Sequence, residues 1–225
     1  MTQELWSAVD QYVAGLLVPA DPVLDAVLQS SAAAGLPPIQ VSPLQAKQLH
    51  LLARIQGARN ILEIGTLGGY STIWMARALP PGGRLLTLEA DAKHAEVARA
   101  NFARANLAGM IELRLGLALD TLPQIAAEGR GPFDLVFIDA NKNNMPEYFD
   151  WALKLSRPSS VIIADNVIRD GAVIDAASKD PDIQGIRRFN ERLAADPHVS
   201  ATEIQTVGIK GYDGFAIALV LADPM

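Results

Sequence analysis

Acidic side chains follow two short apolar segments of the sequence, at points where buried strands would end. Asp139 comes directly after residues 133–138, and Asp165 and Asn166 follow residues 160–164. The carboxyl ends of parallel strands open on one crevice of a doubly wound sheet, so the three side chains can converge. Three oxygen ligands without His or Cys suit a hard divalent cation, most simply Mg²⁺, with Mn²⁺ or Ca²⁺ as alternatives. A single Asp at a strand end is more often a turn or cap residue, so the prediction depends on the combination.

Lys142 lies three positions after Asp139 and can share the same crevice. The default interpretation is a lysine on the surface. Burial and the positive charge of a neighbouring metal would instead favour its neutral form, which can act as a base. The same metal would make a bound hydroxyl more acidic, so little base strength would be needed. Lys142 and Asp139 are therefore the candidate catalytic residues.

A glycine turn follows the first predicted strand, and Glu63 lies in that strand just before the turn. The spacing of Gly65, Gly68 and Gly69 does not match G-x-G-x-x-G, and no Lys follows as a phosphate loop requires. Residues 61–75 contain no Lys or Arg, so a phosphate would meet only backbone donors. The turn therefore favours a ligand without phosphates, and a cationic one fits beside Glu63. The alternative is a turn that only joins a strand to a helix.

Two later positions extend this candidate cofactor site along the strand ends. Glu89 lies twenty positions after Gly69, where a doubly wound fold places the carboxylate that holds a ribose diol. Gly116 and Ala118 follow the third predicted strand and could line an adenine. Because these residues are in register with Asp139, the sequence favours a cofactor site over a purely structural turn.

Short apolar strands alternate with amphipathic helices through the middle of the chain and would position these residues. The predicted strands span residues 61–64, 84–88, 111–115, 133–138 and 160–164, and the predicted helices span residues 70–79, 92–106, 118–127 and 146–155. This alternation indicates right-handed crossovers and an α/β fold whose parallel sheet is covered on both faces.

The pattern changes after Asn166. Residues 171–182 are polar and loop-like, residues 183–195 predict a helix, and residues 202–207 and 215–221 predict two strands. Asp213-Gly214 is a hairpin signal within the connecting residues 208–214. We therefore expect the sheet to end in an antiparallel hairpin.

The first 56 residues predict helices only. Residues 5–16 have helical spacing, and residues 23–28 predict a short second helix that ends near Gly35 and Pro37-Pro38. Ser42-Pro43 makes a favourable start for a third helix. In that third helix, Leu49, Leu52 and Ile55 are expected to face inward. We interpret residues 1–56 as a helical cap or an oligomer surface of a single domain, 1–225, whose core is residues 57–225.

Composition limits the possible partners and compartments. The 225 residues carry a formal net charge of −6, which disfavours a partner bound through many phosphates. There is no cysteine, which excludes thiol chemistry and fits a reducing compartment. The start of the chain lacks the features of a signal peptide, and no apolar run approaches the roughly 20 residues that span a bilayer. We expect a cytoplasmic protein without a membrane segment.

Four motifs together resemble the cation-dependent small-molecule O-methyltransferases, a group that includes catechol and caffeoyl-CoA O-methyltransferases and many bacterial relatives. The motifs are residues 62–71 (LEIGTLGGYS), 88–89 (LE), 137–142 (FIDANK) and 164–167 (ADNV). The similarity extends from about residue 39 to residue 221. It implies a class I S-adenosylmethionine-dependent methyltransferase with a Rossmann-like, doubly wound, seven-stranded sheet, usually a homodimer.

The resemblance also implies a role for each matching residue. Glu63 and the Gly65-Thr66 backbone would hold the methionine end of the cofactor, supported by Ser71, and Glu89 would take the ribose hydroxyls. Asp139, Asp165 and Asn166 would ligate the metal, Lys142 would be the base, and a loop near Val41 would close over the cofactor. The full set of expected cofactor-binding residues is Val41, Glu63, Gly65, Thr66, Gly69, Tyr70, Ser71, Glu89, Gly116, Ala118, Asp139 and Tyr148.

The sequence departs from the family pattern at three positions near the predicted metal. Asn141 replaces a frequent Asp, Met145 replaces a frequent Tyr, and Arg169 stands where the plant enzymes have an aromatic residue. An arginine there could pair with a carboxylate on the acceptor. The plant substrate preference is therefore not expected to carry over.

The function predicted on these grounds is metal-dependent methylation of a hydroxyl on a catechol-like small molecule, with S-adenosylmethionine as the donor. One alternative is a tRNA-modifying methyltransferase of the same fold, which a basic patch would favour. A second is an NAD-dependent oxidoreductase, which the glycine spacing disfavours. A third is a non-catalytic binding protein, which the presence of Lys142 beside the three ligands disfavours.

Overall fold

Seven segments form strands that hydrogen-bond into one sheet. The structure is a computed structural model and describes residues 2–222. The strands are β1 (Asn60–Ile64), β2 (Arg84–Glu89), β3 (Ile111–Leu115), β4 (Leu135–Ile138), β5 (Val161–Asp165), β6 (Val199–Gly208) and β7 (Gly211–Val220). Their order in the sheet is β3-β2-β1-β4-β5-β7-β6.

Within residues 2–222, eight α-helices surround this sheet. They are α1 (Gln3–Leu17), α2 (Pro22–Ala33), α3 (Pro43–Gln56), α4 (Tyr70–Ala76), α5 (Ala92–Arg104), α6 (Ala118–Ala127), α7 (Met145–Lys154) and α8 (Pro181–Ala195). Two 3₁₀ turns, Lys142–Asn144 and Ala172–Ile174, lie in the connections. None of the helices described is long and apolar enough to cross a membrane.

The sheet confirms the predicted doubly wound α/β fold. Strands β1 to β5 pair in parallel, and β7 lies antiparallel between β5 and β6. Strand β1 lies between β2 and β4, so the order of the strands reverses on the two sides of β1. Ligands bind at such a reversal, outside the carboxyl ends of the strands.

The two faces of the sheet bury separate apolar clusters because neighbouring residues of a strand point to opposite faces. On β1, Leu62 and Ile64 pack with residues of α6, α7 and α8, including Phe149 and Phe189. Ile61 instead packs with α3, α4 and α5 on the other face. Both faces are therefore covered, as expected for a parallel sheet.

Two predicted helix boundaries agree with the structure and a third is wrong. The Ser42 hydroxyl accepts the amide of Gln45 at the start of α3, as the capping pattern predicts. Helix α2 extends past residue 28 to Ala33 and so ends close to Gly35, as expected. Helix α4 ends at Ala76 rather than at residue 79.

The expected burial of the amino-terminal region is only partly correct. Leu49 is buried and Leu52 is half-buried, but Ile55 is 81% exposed because α3 uses its other side to pack on α4. Helix α1 has no buried residue, and its Val9 and Tyr12 face outward. The expected homodimer stays a prediction, since the structure contains one chain.

The carboxyl-terminal hairpin is present, but its turn is not where the sequence indicated. Gly208 pairs with Gly211, so Ile209 and Lys210 form the two-residue turn. Asp213 and Gly214 lie inside β7. Gly211, with a φ of +98°, supplies the turn conformation that Asp213-Gly214 was expected to supply.

Gly65 allows the close approach of β1 and β4 at their carboxyl ends. Its φ is +102°, and a Cβ atom on it would lie 2.1 Å from the carbonyl oxygen of Asp139. Gly57 has a similar left-handed φ of +65°, but nothing lies within 4 Å of its Cβ position. Substitutions at Gly57 and Gly65 therefore separate the cost of the left-handed backbone conformation from the cost of the close contact with Asp139.

We expect Gly57→Ala to lower the free energy of unfolding by about 1 kcal/mol, the usual cost of a left-handed alanine. Gly65→Ala should lower it by about 3 kcal/mol or more, because the strand ends must also move apart. Urea denaturation of both variants measures the difference. Equal losses would show that the contact with Asp139 does not constrain the fold.

Candidate functional site

A cavity of about 670 Å³ opens at the carboxyl ends of β1 to β5. Its lining extends from Glu89 and Gly116, after β2 and β3, to Asn166 and Arg169, after β5. Side chains of the segment before α3, including Val41, form part of the opposite wall. A volume of this size suits a small-molecule ligand.

Glu89 holds the glycine turn at the edge of this cavity. One carboxylate oxygen accepts the backbone amides of Thr66 at 3.3 Å and Leu67 at 2.7 Å. The other accepts the amide of Asp91 at 2.9 Å. These bonds to the backbone fix the Glu89 carboxylate in place, so it is ordered before any ligand binds.

Glu63 lies behind the cavity wall rather than on it. The side chain is fully buried and accepts hydrogen bonds from three hydroxyls, those of Ser71 at 2.6 Å, Thr72 at 2.5 Å and Thr87 at 2.7 Å. Burial raises the pKa of Glu63 to about 7, against the effect of the hydroxyl donors, and the charge of Asp139 adds to the rise. Only Ser71 of these partners lines the cavity, so Glu63 reaches a ligand through that hydroxyl.

Asp139, Lys142 and Asp165 come together at the other end of the cavity. The Lys142 ammonium group is buried and donates to Asp139 at 2.9 Å. Burial and the charge of Asp139 raise the pKa of Asp165 to about 7, and Lys142 opposes this rise. Lys142 thus pairs directly with Asp139, while the buried Asp165 keeps a carboxyl group whose ionisation is disfavoured.

The donor set there consists of two carboxylates and the amide of Asn166. Within residues 2–222, no three His, Cys, Asp or Glu side chains gather into a metal-binding group. Asp139 and Asn166 line the cavity, while Asp165 is buried next to it and accepts the backbone amide of Asn166 at 2.9 Å. Oxygen donors of this kind fit Mg²⁺, Mn²⁺ or Ca²⁺.

Most of the predicted site residues line this one cavity. They are Val41, Gly65, Thr66, Tyr70, Ser71, Glu89, Gly116, Ala118, Asp139, Lys142, Tyr148 and Asn166. Glu63, Gly69 and Asp165 do not. The absence of a side chain at Gly69 serves packing, since a Cβ atom there would lie 2.4 Å from the ring of Phe102.

Lys210 is a residue near the site that the sequence did not indicate. From the hairpin turn, its ammonium group donates to the carbonyl of Pro38 at 2.8 Å. Burial lowers its pKa, and the charge of Asp139 opposes this shift. Lys210 therefore ties the hairpin to the cavity wall that contains Val41. The sequence could have indicated Lys210 only if the hairpin turn had been placed at Ile209-Lys210.

Comparison with known proteins places the whole chain in one group. The O-methyltransferase family model matches residues 18–219. The chain is 56% identical to a catechol O-methyltransferase of Niastella koreensis, over 98% of this chain and 100% of that protein. It is 53% identical to a catechol O-methyltransferase of Mycobacterium tuberculosis, over 94% of each chain.

Two solved structures of O-methyltransferases are also similar to this chain over nearly its whole length. An O-methyltransferase from Bacillus cereus in complex with SAH is 63% identical, with a TM-score of 0.96 over 97% of this chain and 100% of that chain. TomG, an O-methyltransferase from Streptomyces achromogenes in complex with SAM, is 54% identical, with a TM-score of 0.95 over 99% of this chain and 100% of that chain. Both cover the sheet and the cavity described above.

The raised pKa of Glu63 predicts a pH-dependent stability of the ligand-free protein. The stability that the protonated carboxyl contributes is complete below its ordinary pKa of 4.5 and is lost as pH rises through about 7. Relative to Glu63→Gln, the wild type should therefore lose up to roughly 3 kcal/mol between these two values.

Urea denaturation of both proteins between pH 4.5 and 7.5 measures this difference. Other groups titrate in both proteins, so their contributions largely cancel in the comparison. A difference that stays constant with pH would contradict the raised pKa.

Proposed function

Because the chain belongs to the O-methyltransferase family, we propose that it transfers a methyl group from S-adenosylmethionine to one hydroxyl of a catechol-like aromatic molecule. The observation that carries the proposal is that one cavity joins Glu89 at one end to Asp139, Lys142 and Asn166 at the other, with Asp165 buried beside them. The first end suits a ribose, and the second suits a hydroxylated acceptor beside a divalent cation.

The donor side supports a nucleoside ligand without phosphates. The Glu89 carboxylate is fixed at the end of β2, where a doubly wound fold binds a ribose diol. Gly116 and Ala118 line the cavity one strand further along and suit an adenine. The positive charge of a sulfonium and an ammonium group would favour the ionised form of Glu63, behind Ser71.

The acceptor side supports a divalent cation held by Asp139, Asp165 and Asn166. The charge of Asp139 disfavours ionisation of the buried Asp165, and Lys142 opposes this effect. A divalent cation would favour the ionised form of Asp165. When bound, such a cation supplies the charge that makes a neighbouring phenol more acidic.

Lys142 is the group placed to move the acceptor's proton. Its ammonium nitrogen is held by Asp139 at the cavity surface, and in its neutral form that nitrogen can accept a phenolic proton. The buried side chains of Val41 and Tyr70 line the same cavity and would help to orient the reactants. Such orientation can contribute roughly 7–11 kcal/mol in favourable cases.

The two alternative enzymatic functions, a tRNA-modifying methyltransferase and an NAD-dependent oxidoreductase, gain no support. The relatives reported above are named catechol O-methyltransferases, and the net charge of −6 disfavours tRNA as a substrate. The glycine turn lacks the dinucleotide fingerprint. Family membership also leaves the NAD-dependent oxidoreductase without support.

An assay with S-adenosylmethionine and a panel of ortho-diphenols tests the proposed function directly. We expect methyl transfer that EDTA lowers by roughly 100-fold or more, because the charge beside the phenol is lost. Added Mg²⁺ should restore it. Transfer that is insensitive to EDTA would contradict the metal site, and no transfer to any catechol would contradict the acceptor class.

We expect Lys142→Ala to lower kcat by roughly 10²–10⁴-fold, the usual contribution of a positioned base. The affinity for S-adenosylhomocysteine, measured by calorimetry, should change little because the donor side stays intact. Lys154→Ala is the matched control, since Lys154 is an exposed lysine whose ammonium group lies 4.6 Å from the ring of Trp151. Equal losses of turnover and of donor affinity would make Lys142 a structural residue.

A further inference from the structure

Three side chains that can carry positive charge line the cavity: His94, Lys142 and Arg169. His94 lies 3.6 Å from a carboxylate oxygen of Glu89, and Lys142 donates to Asp139. Within residues 2–222, the guanidinium group of Arg169 has neither an ion pair nor a hydrogen bond. Arg169 is only half-buried, so it presents an uncompensated cation to the cavity.

The backbone that carries Arg169 is held in an unusual conformation. Arg169 and Asp170 both have a φ of +53°, which non-glycine residues rarely adopt. One carboxylate oxygen of Asp213 accepts the amides of Ile168 at 3.1 Å and Arg169 at 2.9 Å. Strand β7 therefore fixes this loop through Asp213, because two of the loop's amides depend on that carboxylate.

Gly214 brings the same strand close to the loop. A Cβ atom on Gly214 would lie 2.5 Å from a side-chain carbon of Ile168. The Gly214 carbonyl also accepts the amide of Val167 at 3.1 Å. The position of Arg169 is thus determined by β7 before any ligand enters.

Arg169 lies on the acceptor side of the cavity. It follows the candidate metal ligand Asn166 by three residues, after β5. Strand β2, which carries Glu89, lies three strands away, roughly 14 Å at the usual strand spacing. Asp139 and Asp182 also line the cavity, but neither lies within ion-pair distance of Arg169.

We propose that Arg169 binds a carboxylate carried by the aromatic acceptor and so selects acidic catechols, with Asp213 as its positioning residue. A guanidinium group suits this role because its planar fork can donate two parallel hydrogen bonds to a carboxylate. The inference rests on the proposed function and specifies its acceptor: an ortho-diphenol with a carboxylate on the ring or on a short substituent.

The test compares 3,4-dihydroxybenzoate with its methyl ester, which have the same diphenol and differ in charge. Arg169→Ala should lower kcat/KM for the carboxylate by roughly 10–100-fold, the range for a lost charged hydrogen bond. The value for the ester should change less than about threefold, since the ester makes no charged bond. Arg54→Ala is the control for net charge, because Arg54 is exposed on α3 and away from the cavity. Equal losses for both acceptors would overturn the proposal.

Asp213→Asn keeps the size of the side chain and removes its charge. If Asp213 positions Arg169, this variant should raise KM for the carboxylate several-fold and leave kcat for the ester nearly unchanged. A purely structural role would lower kcat for both acceptors alike, and that result would remove Asp213 from the proposal.

Calorimetry separates this proposal from the proposed function. Binding of 3,4-dihydroxybenzoate to the protein loaded with S-adenosylhomocysteine and Mg²⁺ should weaken in Arg169→Ala, whether or not turnover is observed. Absence of methyl transfer would contradict the enzymatic function, while unchanged binding in Arg169→Ala would contradict the role of Arg169.

Discussion

The close contact between the ends of β1 and β4 is the constraint on which the site depends. Gly65 has no side chain, so the carbonyl of Asp139 can lie against the glycine turn at the point where the strand order reverses. This contact puts the turn that Glu89 holds and the carboxylate that Lys142 holds on either side of one crevice.

Buried acids are the second feature that ties the fold to the chemistry. Glu63 and Asp165 are both held where ionisation is unfavourable, for different reasons. Glu63 is surrounded by hydroxyl donors and shapes the donor side through Ser71. Burial and the charge of Asp139 act together on Asp165, so a positive charge would favour its ionised form. In this O-methyltransferase, a buried acid whose ionisation a positive charge would favour thus lies near each end of the cavity.

Sequence patterns predict the order of elements and the strand ends well, because each parallel strand is an apolar run that ends at a polar or glycine residue. Asp139, Glu89 and Asn166 could therefore be assigned to one crevice without coordinates. The burial of Glu63 behind the cavity wall could not be predicted in this way. Alternation along a strand indicates which face of the sheet a side chain lies on, but not its distance from the cavity. The hairpin turn was misplaced because Asp213-Gly214, a common turn pair, here braces Arg169 from within β7.

The hydrogen bonds of the hairpin turn bear on the order in which the sheet forms during synthesis. Every residue that lines the cavity precedes residue 183, yet Lys210 secures the wall at Pro38, and Asp10 accepts the amide of Ile209 at 2.8 Å. During synthesis, a nascent chain that has emerged through α8 contains the whole lining but leaves β5 as an open edge. Strands β6 and β7, which follow α8, therefore close this edge of the sheet, and their turn contacts α1 through Asp10 and the segment before α3 through Pro38.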